Sequence, residues 1–291
     1  MAQVSAAHDR NGAASLMHRA IILIWSEWTL PERVYAGISV AMVVGFAMTL
    51  VVWAADPRLI DGLSVWAKPL KFQLALAIHA ATLALVVSRL GPSVQVAPYM
   101  QGVALAFLLA CTVEMGWIIL QAALGQHSHF NDSTVFHRMM FSVMAFAAVI
   151  ITGTAAAVAT AVSRDPDFAA GATVRTGIIL GLIGGTILTF VAAFAIGERG
   201  SPYVGTAPLP TSRMMFTGWS LIAGDLRVSH FLATHMMQAV PLVAICIVKL
   251  RIGSFASTAV VGFAALWASW TLIELSTALS GQPAHLLVLL P

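Results

Sequence analysis

The sequence predicts an all-α integral membrane protein, a seven-helix bundle preceded by an N-terminal interfacial helix. Of its 291 residues, 59% are hydrophobic and only 9% are charged, and the mean hydropathy is +0.89. A soluble domain carries about 25% charged residues, so this composition excludes a soluble fold. The apolar residues also fall into blocks close to the roughly 20 residues that a helix needs to cross a bilayer.

The N-terminal segment differs in pattern from the apolar blocks that follow it. The stretch SLMHRAIILIWSEWTLPERV at 15–34 combines a short apolar run with two tryptophans and flanking charges. Such a pattern is typical of a helix that lies in the membrane interface. Pro31 should separate this helix from the first span, because proline removes a backbone donor. We therefore predict a tail with an interfacial helix at 1–34 and a single seven-span domain at 35–291.

Seven spans follow from the apolar blocks. Their predicted bounds are Tyr35–Ala55, Phe72–Ser88, Tyr99–Leu124, Met139–Val162, Val174–Ile196, Ser229–Val248 and Phe255–Ala278. In the fifth span, GLIGG at 181–185 offers small residues that permit close helix contact. In the sixth, Pro241 should introduce a kink that frees a backbone carbonyl and opens space. The connections 56–71, 125–138 and 197–228 share one membrane face, which we call the outer face.

Ionisable side chains concentrate in the half of the bundle next to the outer face. At 1.5 Å per helical residue, His79 and Glu114 lie roughly 12 and 15 Å deep. His235 and Glu274 lie roughly 9 and 6 Å deep by the same rise. A charge at the bilayer centre costs at least about 2.5–3.5 kcal/mol, so such residues usually face an interior partner or a cavity. The alternative is that these groups only hydrogen-bond one another between helices.

A transition-metal site is one interpretation of this concentration. Imidazole nitrogens suit Cu, Fe and Zn, and the sequence does not choose among these metals. In the HSH stretch, both histidines point to the same side if the segment is extended, because side chains alternate with a period of two. In a helix they diverge, and the two histidines of HFLATH lie about 140° apart. The candidate metal ligands are Glu114, His127, His129, His230 and His235.

A b-type haem is the second interpretation. It needs two axial histidines on facing spans, and His79 and His235 sit at similar predicted depths on different helices. Its propionates would meet Lys68, Lys71 or Arg227 at the outer rim. The absence of a CxxCH stretch excludes covalent haem attachment.

Two charged segments at the outer rim each admit a structural and a functional interpretation. In GDLR, Asp225 and Arg227 either pair with each other and cap a helix, where an acid complements the dipole, or contact a cofactor or substrate. In WAKPLKF, Lys68 and Lys71 either anchor the helix at the interface by snorkelling or bind an anion.

Three segments together resemble a family of bacterial polytopic integral membrane proteins. They are KPLKF at 68–72, VEMGWIILQAALGQHSHFN at 113–131 and GWSLIAGDLRVSHFLATHMMQAVPL at 218–242. The resemblance covers most of the membrane core and implies a bacterial cytoplasmic (inner) membrane location, but no activity. It ranks His129 above His127, and it ranks His230 and His235 above His79. The matching residues are Glu114, Gln121, Ser128, His129, Phe130, Asn131, Asp225, Arg227, His230 and His235. With Glu274, Gln121 and Asn131 complete the predicted polar site.

The charge distribution favours an N-terminus on the inner side. The short connections 89–98 and 249–254 carry Arg89, Lys249 and Arg251 without an acid, which is the pattern of inner loops. The site is then expected near the outer, periplasmic face. The net charge of +3 reflects orientation and lipid headgroups, so nucleic acid is not an expected partner.

The leading functional prediction is a redox-related protein that binds a transition metal or b-type haem in the outer half. Its expected partners are the bilayer and a membrane redox partner or larger membrane complex. One alternative is a proton-coupled small-solute transporter with Glu114, Glu274 and His235 as its relay. Another is an accessory or assembly subunit. The sequence has no G-x-S-x-G, HExxH or phosphate-loop motif. It therefore assigns no reaction, and whether the protein is an enzyme stays open.

Overall fold

The computed structural model describes residues 27–206, 208–214 and 217–285. Within these ranges, seven helices are long and apolar enough to cross a membrane. They are α1 (Leu30–Ala55), α2 (Ala67–Val87), α3 (Pro98–Leu124), α4 (Val135–Arg164), α5 (Ala172–Arg199), α6 (Leu226–Lys249) and α7 (Ala256–Leu279). The predicted all-α, seven-helix bundle is confirmed, and these helices make the chain a multi-pass membrane protein. The predicted interfacial helix falls mainly on residues 1–26, outside the described ranges.

The first span begins five residues before the position that the sequence predicted. Thr29 is the N-cap of α1, and its backbone N–H and hydroxyl both donate to the Glu32 carboxylate, at 2.7 and 2.8 Å. Pro31 occupies the first turn, where its missing N–H would have no intrahelical partner in any case. Residues 30–34, which we assigned to the tail, therefore form the first turns of α1.

The three spans that begin at the outer face, α2, α4 and α6, start three to five residues earlier than predicted. α2 starts at Ala67, five residues before the predicted Phe72, so Lys68 and Lys71 are helical. α6 starts at Leu226, directly after its N-cap Asp225, so Arg227 lies in its first turn. All three cations are thus placed by helix N-termini and not by loops.

The most extensive packing between two helices joins α5 to α6. Gly177, Gly181 and Gly185 repeat every fourth residue along one face of α5, the spacing that lets two backbones approach. A Cβ at Gly181 would lie 2.7 Å from Pro241 Cδ and 3.1 Å from the Met236 carbonyl oxygen. The backbone of α5 therefore fills the space that we expected Pro241 to open.

The connections of the outer face are held by short strands and by one carboxylate. Strand β1 (Leu59–Ile60) pairs with β2 (Leu63–Ser64), and β3 (Tyr203–Val204) pairs with β4 (Gly224–Asp225). Asp56, after α1, accepts hydrogen bonds from Arg58 and from the Trp66 indole at 2.8 Å, and these bonds hold its pKa well below the usual range. Arg58 also donates to the Ala123 carbonyl at 3.0 Å. This set links the outer ends of α1, α2 and α3.

Replacement of Gly181 by alanine should destabilise the protein by about 1–3 kcal/mol, the range for overpacking a tight contact. The new Cβ would meet a rigid proline ring that cannot rotate away. The matched control is Gly262→Ala on α7, where nothing lies within 4 Å of the added Cβ. That change should be neutral or stabilising, by up to about 1 kcal/mol, through helix propensity. Unfolding in mild detergent measures both, and equal effects of the two substitutions would contradict the packing argument.

Candidate functional site

Three ionisable side chains meet beneath the outer face. Lys68 Nζ on α2 lies 3.0 Å from His129 Nδ1 in the α3–α4 connection. His129 Nε2 lies 3.6 Å from Glu114 Oε1 on α3. Glu114 is only 2% exposed, whereas the His129 side chain is 21% exposed. We call these three residues the Lys68–His129–Glu114 relay.

The chemistry of the lysine fixes the proton position on the histidine. An ammonium only donates hydrogen bonds, so His129 Nδ1 accepts from Lys68 and the imidazole proton of the neutral ring lies on Nε2, facing Glu114. The 3.6 Å separation exceeds a direct hydrogen bond, so a shift of a few tenths of an ångström or a bridging water would complete the connection. Glu114 Oε2 is buried and has no hydrogen-bond partner among the described residues.

The connection that carries His129 is held at several points. It begins at Gly125, which closes α3 with a φ of 68°, a conformation that glycine adopts without a steric cost. The Trp117 indole donates to the Ser128 carbonyl at 2.9 Å. Asn131 donates to the His127 carbonyl at 3.2 Å. Asn131, a predicted polar site residue, therefore has a structural role in shaping the loop.

Aromatic rings surround His129 on several sides. The ring centroids of Phe72 and Phe141 each lie 6.2 Å from the imidazole, and that of Phe130 lies 6.5 Å away. Phe130 has a φ of 55°, a conformation uncommon for a side chain of this size. Burial among these groups lowers the pKa of His129 below its usual value, although the Glu114 carboxylate opposes that shift.

The remaining charged residues of the rim form a second set. Arg227 pairs with Asp225 at 2.6 Å, and Asp225 also accepts from the backbone N–H of Arg227 at 3.1 Å as the N-cap of α6. The structural interpretation of GDLR is thus observed. Lys71 donates to the Thr217 carbonyl and Arg227 to the Gly218 carbonyl, each at 2.8 Å. The two cations therefore bind consecutive peptide groups.

The histidines of HSH do not share a partner. His127 Nε2 lies 3.7 Å from Asp61 Oδ2 at the surface, with both side chains more than half exposed. His129 points inwards to Glu114. The structure thus separates the two imidazoles that the period-two argument placed together, because the backbone bends from Ser128 to Phe130 and does not form an extended strand.

The three predicted site histidines on α2 and α6 lie apart from the relay. His79 Nε2 contacts the Ile151 carbonyl at 3.3 Å. His235 Nδ1 contacts Gln238 Oε1 at 3.2 Å, and the Gln238 amide donates to Thr82 Oγ1 at 3.3 Å. His230 Nδ1 is buried and has no hydrogen-bond partner among the described residues. His79 and His235 lie deeper in the bundle than His230, which is four residues after the start of α6, and none of the three bonds to a residue of the relay.

The two other predicted polar residues lie apart from each other. Glu274 accepts from the Trp270 indole at 3.3 Å and from the His285 backbone N–H at 3.2 Å. Its contacts therefore fix the segment after α7. Gln121 lies seven residues after Glu114 on α3, is 2% exposed, and has an Oε1 without a partner in the described part of the chain.

No described group of three or more His, Cys, Asp and Glu side chains could hold a metal ion. In the relay, Glu114 and His129 supply two such groups, and Lys68 occupies the second imidazole nitrogen. For a haem, the Nε2 of His79 is already engaged by the Ile151 carbonyl. The predicted transition metal and b-type haem thus have no support in these contacts and stay predictions.

Sequence reasoning identified Glu114 and His129 but not the third member of the relay. We placed Lys68 at the rim as a snorkelling anchor or a partner for an anion. Its contact with His129 depends on the early start of α2, which turns Lys68 towards the α3–α4 connection. The signal that could have shown this is the KP pair, since proline is favoured in the first turn of a helix.

Comparison with known proteins does not assign the chain to a family. The chain matches no protein-family model, no curated protein and no solved structure. The resemblance carried by the three sequence segments therefore stays a prediction.

The lowered pKa of His129 makes the stability of the protein depend on pH. Below about pH 6.5, the usual histidine value, the unfolded chain binds a proton at this residue that the folded protein does not. The stabilising contribution of the buried neutral imidazole is therefore complete above about pH 6.5 and is lost as the pH falls below that value. The melting temperature of the wild type should thus fall more between about pH 7.5 and about pH 5.5 than that of His129→Gln.

The control for that comparison is His127→Gln, which removes a more exposed histidine from the same loop. Its melting temperature should follow the wild-type pH dependence. Identical pH dependences in the wild type and in His129→Gln would refute the burial of a neutral imidazole at this position.

Proposed function

We propose that the protein is a proton-coupled transporter of a small solute, in which Glu114 exchanges protons with the outer face through His129. The observation that carries this proposal is the Lys68–His129–Glu114 relay. It connects a partly exposed loop imidazole to a carboxylate that is 2% exposed within the bundle. An ionisable residue inside the membrane marks a functional site by default, and here its partner is a histidine.

Each member of the relay has a chemical property that proton exchange needs. Histidine accepts a proton on one ring nitrogen and releases one from the other, so a proton that Nε2 gives to Glu114 is replaced at Nδ1 by the Lys68 ammonium, which regains one from the outer face. Lys68 holds the tautomer in which the proton faces Glu114. Glu114 lies ten positions before Leu124, the end of α3, and so roughly 15 Å below the outer face. Its free Oε2 can accept a proton or a donor group of a solute.

Transport also requires polar groups beyond the relay, deeper in the bundle. Gln238 on α6 joins His235 to Thr82 on α2. Thr82 lies 15 positions after Ala67, the start of α2, which is roughly 22 Å from the outer face. Polar side chains between α2 and α6 therefore continue past the middle of the bundle, which supports a path into the inner half.

This relay differs from the one expected from the sequence. Glu114 is retained, but Glu274 has local partners next to α7, and His235 belongs to the deeper set with Gln238. His129 and Lys68 replace them as the residues next to Glu114. With the expected orientation, proton exchange takes place at the periplasmic face of a bacterial inner membrane. The redox and accessory-subunit hypotheses stay predictions, since no contact of the described residues favours either.

Infrared difference spectroscopy of the protein in lipid tests the proton-exchange step. Acidification of the wild type should produce a carboxylic acid C=O band from a buried residue, and Glu114→Gln should abolish that band. Glu274→Gln is the matched control, because it removes another buried carboxylate of the outer half that lies outside the relay. A band that persists in Glu114→Gln but disappears in Glu274→Gln would assign the exchangeable proton to Glu274 on α7. That result would overturn the proposal.

Proteoliposomes that contain a pH-sensitive dye test the coupling. Addition of a transported solute should acidify or alkalinise the lumen in the wild type, and Glu114→Gln should reduce that flux to the level of empty liposomes. His129→Gln should slow the flux, because glutamine keeps the hydrogen bonds but cannot carry a proton. A wild type that exchanges the Glu114 proton but shows no flux with a broad panel of solutes would limit its role to proton binding.

A further inference from the structure

Three cations converge where α2 and α6 begin. Lys68 and Lys71 are three residues apart, a spacing that places them on one face of a helix. Lys71 and Arg227 bind the consecutive carbonyls of Thr217 and Gly218. Lys68 thus lies one helical turn from Lys71, and Lys71 lies next to Arg227 at the Thr217–Gly218 peptide. We call Lys68, Lys71 and Arg227 the cation cluster.

The carboxylates near the cation cluster do not balance its charge. Asp225 binds Arg227 through both of its oxygens and is buried. Glu114 lies beyond the His129 ring from Lys68. With a neutral imidazole, three positive charges face two carboxylates. Like charges held together at a partly exposed position repel one another unless a counter-ion is bound.

Hydrogen-bond donors of the cluster are also unused. Lys68 and Lys71 each make one hydrogen bond in the described structure, although an ammonium has three donors. Arg227 uses its Nε and Nη2 atoms, while its Nη1 makes no hydrogen bond to any described residue. The Arg227 side chain is 30% exposed and Lys71 is exposed, so a ligand from the aqueous phase can reach these donors.

The two helices add a further positive potential. Both α2 and α6 begin at this place, and neither has an acidic residue in its first turn. The N-terminus of a helix carries a partial positive charge and favours anions. The N-cap Asp225 offsets this at α6, but the N-cap of α2 is Trp66, which has no side-chain capping bond.

We infer that the cation cluster binds an oxyanion, a carboxylate or phosphate group, and that this anion is the solute of the proposed transporter. That this anion is the transported solute rests on the proposed function, whereas the binding of an oxyanion rests on the cation cluster alone. Arg227 Nη1, Lys71 and Lys68 donate to the anion oxygens with charge-assisted hydrogen bonds. The same chemistry is offered by a free small anion and by the headgroup of an anionic lipid at the outer face.

Binding measurements on the full-length protein test the inference. The protein is placed in nanodiscs of phosphatidylcholine, which has no net charge, and titrated with succinate and with inorganic phosphate at one fixed pH. At least one of these should bind, and Lys71→Gln should weaken it by about 10- to 100-fold, as expected for one lost hydrogen bond between charged groups. Glutamine still donates to the Thr217 carbonyl, so the local fold is kept. Lys71→Arg should retain most of the affinity.

The matched control is Lys249→Gln, which removes one lysine from the opposite end of α6 and should leave the affinity unchanged. Native mass spectrometry in nanodiscs with phosphatidylglycerol separates the two sources. If neither free anion binds, but phosphatidylglycerol is retained by the wild type and lost in Lys71→Gln, then the occupant is a lipid headgroup and the anion is not the transported solute.

Two results would overturn the oxyanion site itself. One is the absence of both free-anion and phosphatidylglycerol binding to the wild type. The other is equal binding by the wild type and Lys71→Gln. Neither result depends on the Glu114 carboxylic acid band, so failure of this inference is distinguishable from failure of the proton-exchange step.

Discussion

The structure depends on how a carboxylate is kept inside an apolar bundle. Glu114 is 2% exposed, and burial of an uncompensated charge is among the most unfavourable arrangements in a membrane. The groups placed to compensate it are the His129 Nε2–H, 3.6 Å from the carboxylate, and, beyond the ring, Lys68. The imidazole is needed because it presents a donor to Glu114 and an acceptor to Lys68 at the same time. This requirement explains why the α3–α4 connection is held so tightly: a displaced loop would leave both charges without partners.

The scaffold supplies this fixed geometry from two sides. The glycine face of α5 locks α6 against it, which sets where α6 begins and hence where Arg227 lies. On the other side, Asp56 joins the outer ends of α1, α2 and α3, which sets where α2 begins. The Thr217–Gly218 peptide then bridges the two sides, since Lys71 and Arg227 bind its consecutive carbonyls. The candidate site therefore lies between the starts of α2 and α6, where a relative movement of these two helices would change it.

The sequence predicted the spans and the depth of Glu114 well, because both follow from hydrophobicity and a fixed helical rise. It placed the starts of α1, α2, α4 and α6 too late, because an apolar pattern leaves out the polar first turn of a helix, which in α1 is capped by the Thr29–Glu32 pair. It also failed to orient His127 relative to His129, since that depends on the backbone bend that begins at Ser128, between the two histidines. The partners of His79, His235 and Glu274 depend on the rotation of each helix about its axis, which apolar blocks on all sides of a helix do not encode.

Lys68 connects the two proposals, since it belongs both to the relay and to the cation cluster. A proton taken up by Glu114 removes the negative charge that Lys68 faces through His129. The same ammonium then interacts more strongly with an oxyanion beside Lys71 and Arg227, because Coulomb energies at partly buried positions are several times those in water. Coupling between two ligands is reciprocal, so a bound anion equally favours proton uptake. Because each ligand favours binding of the other, the proton and the anion bind together. This is the thermodynamic condition for transport of both in the same direction.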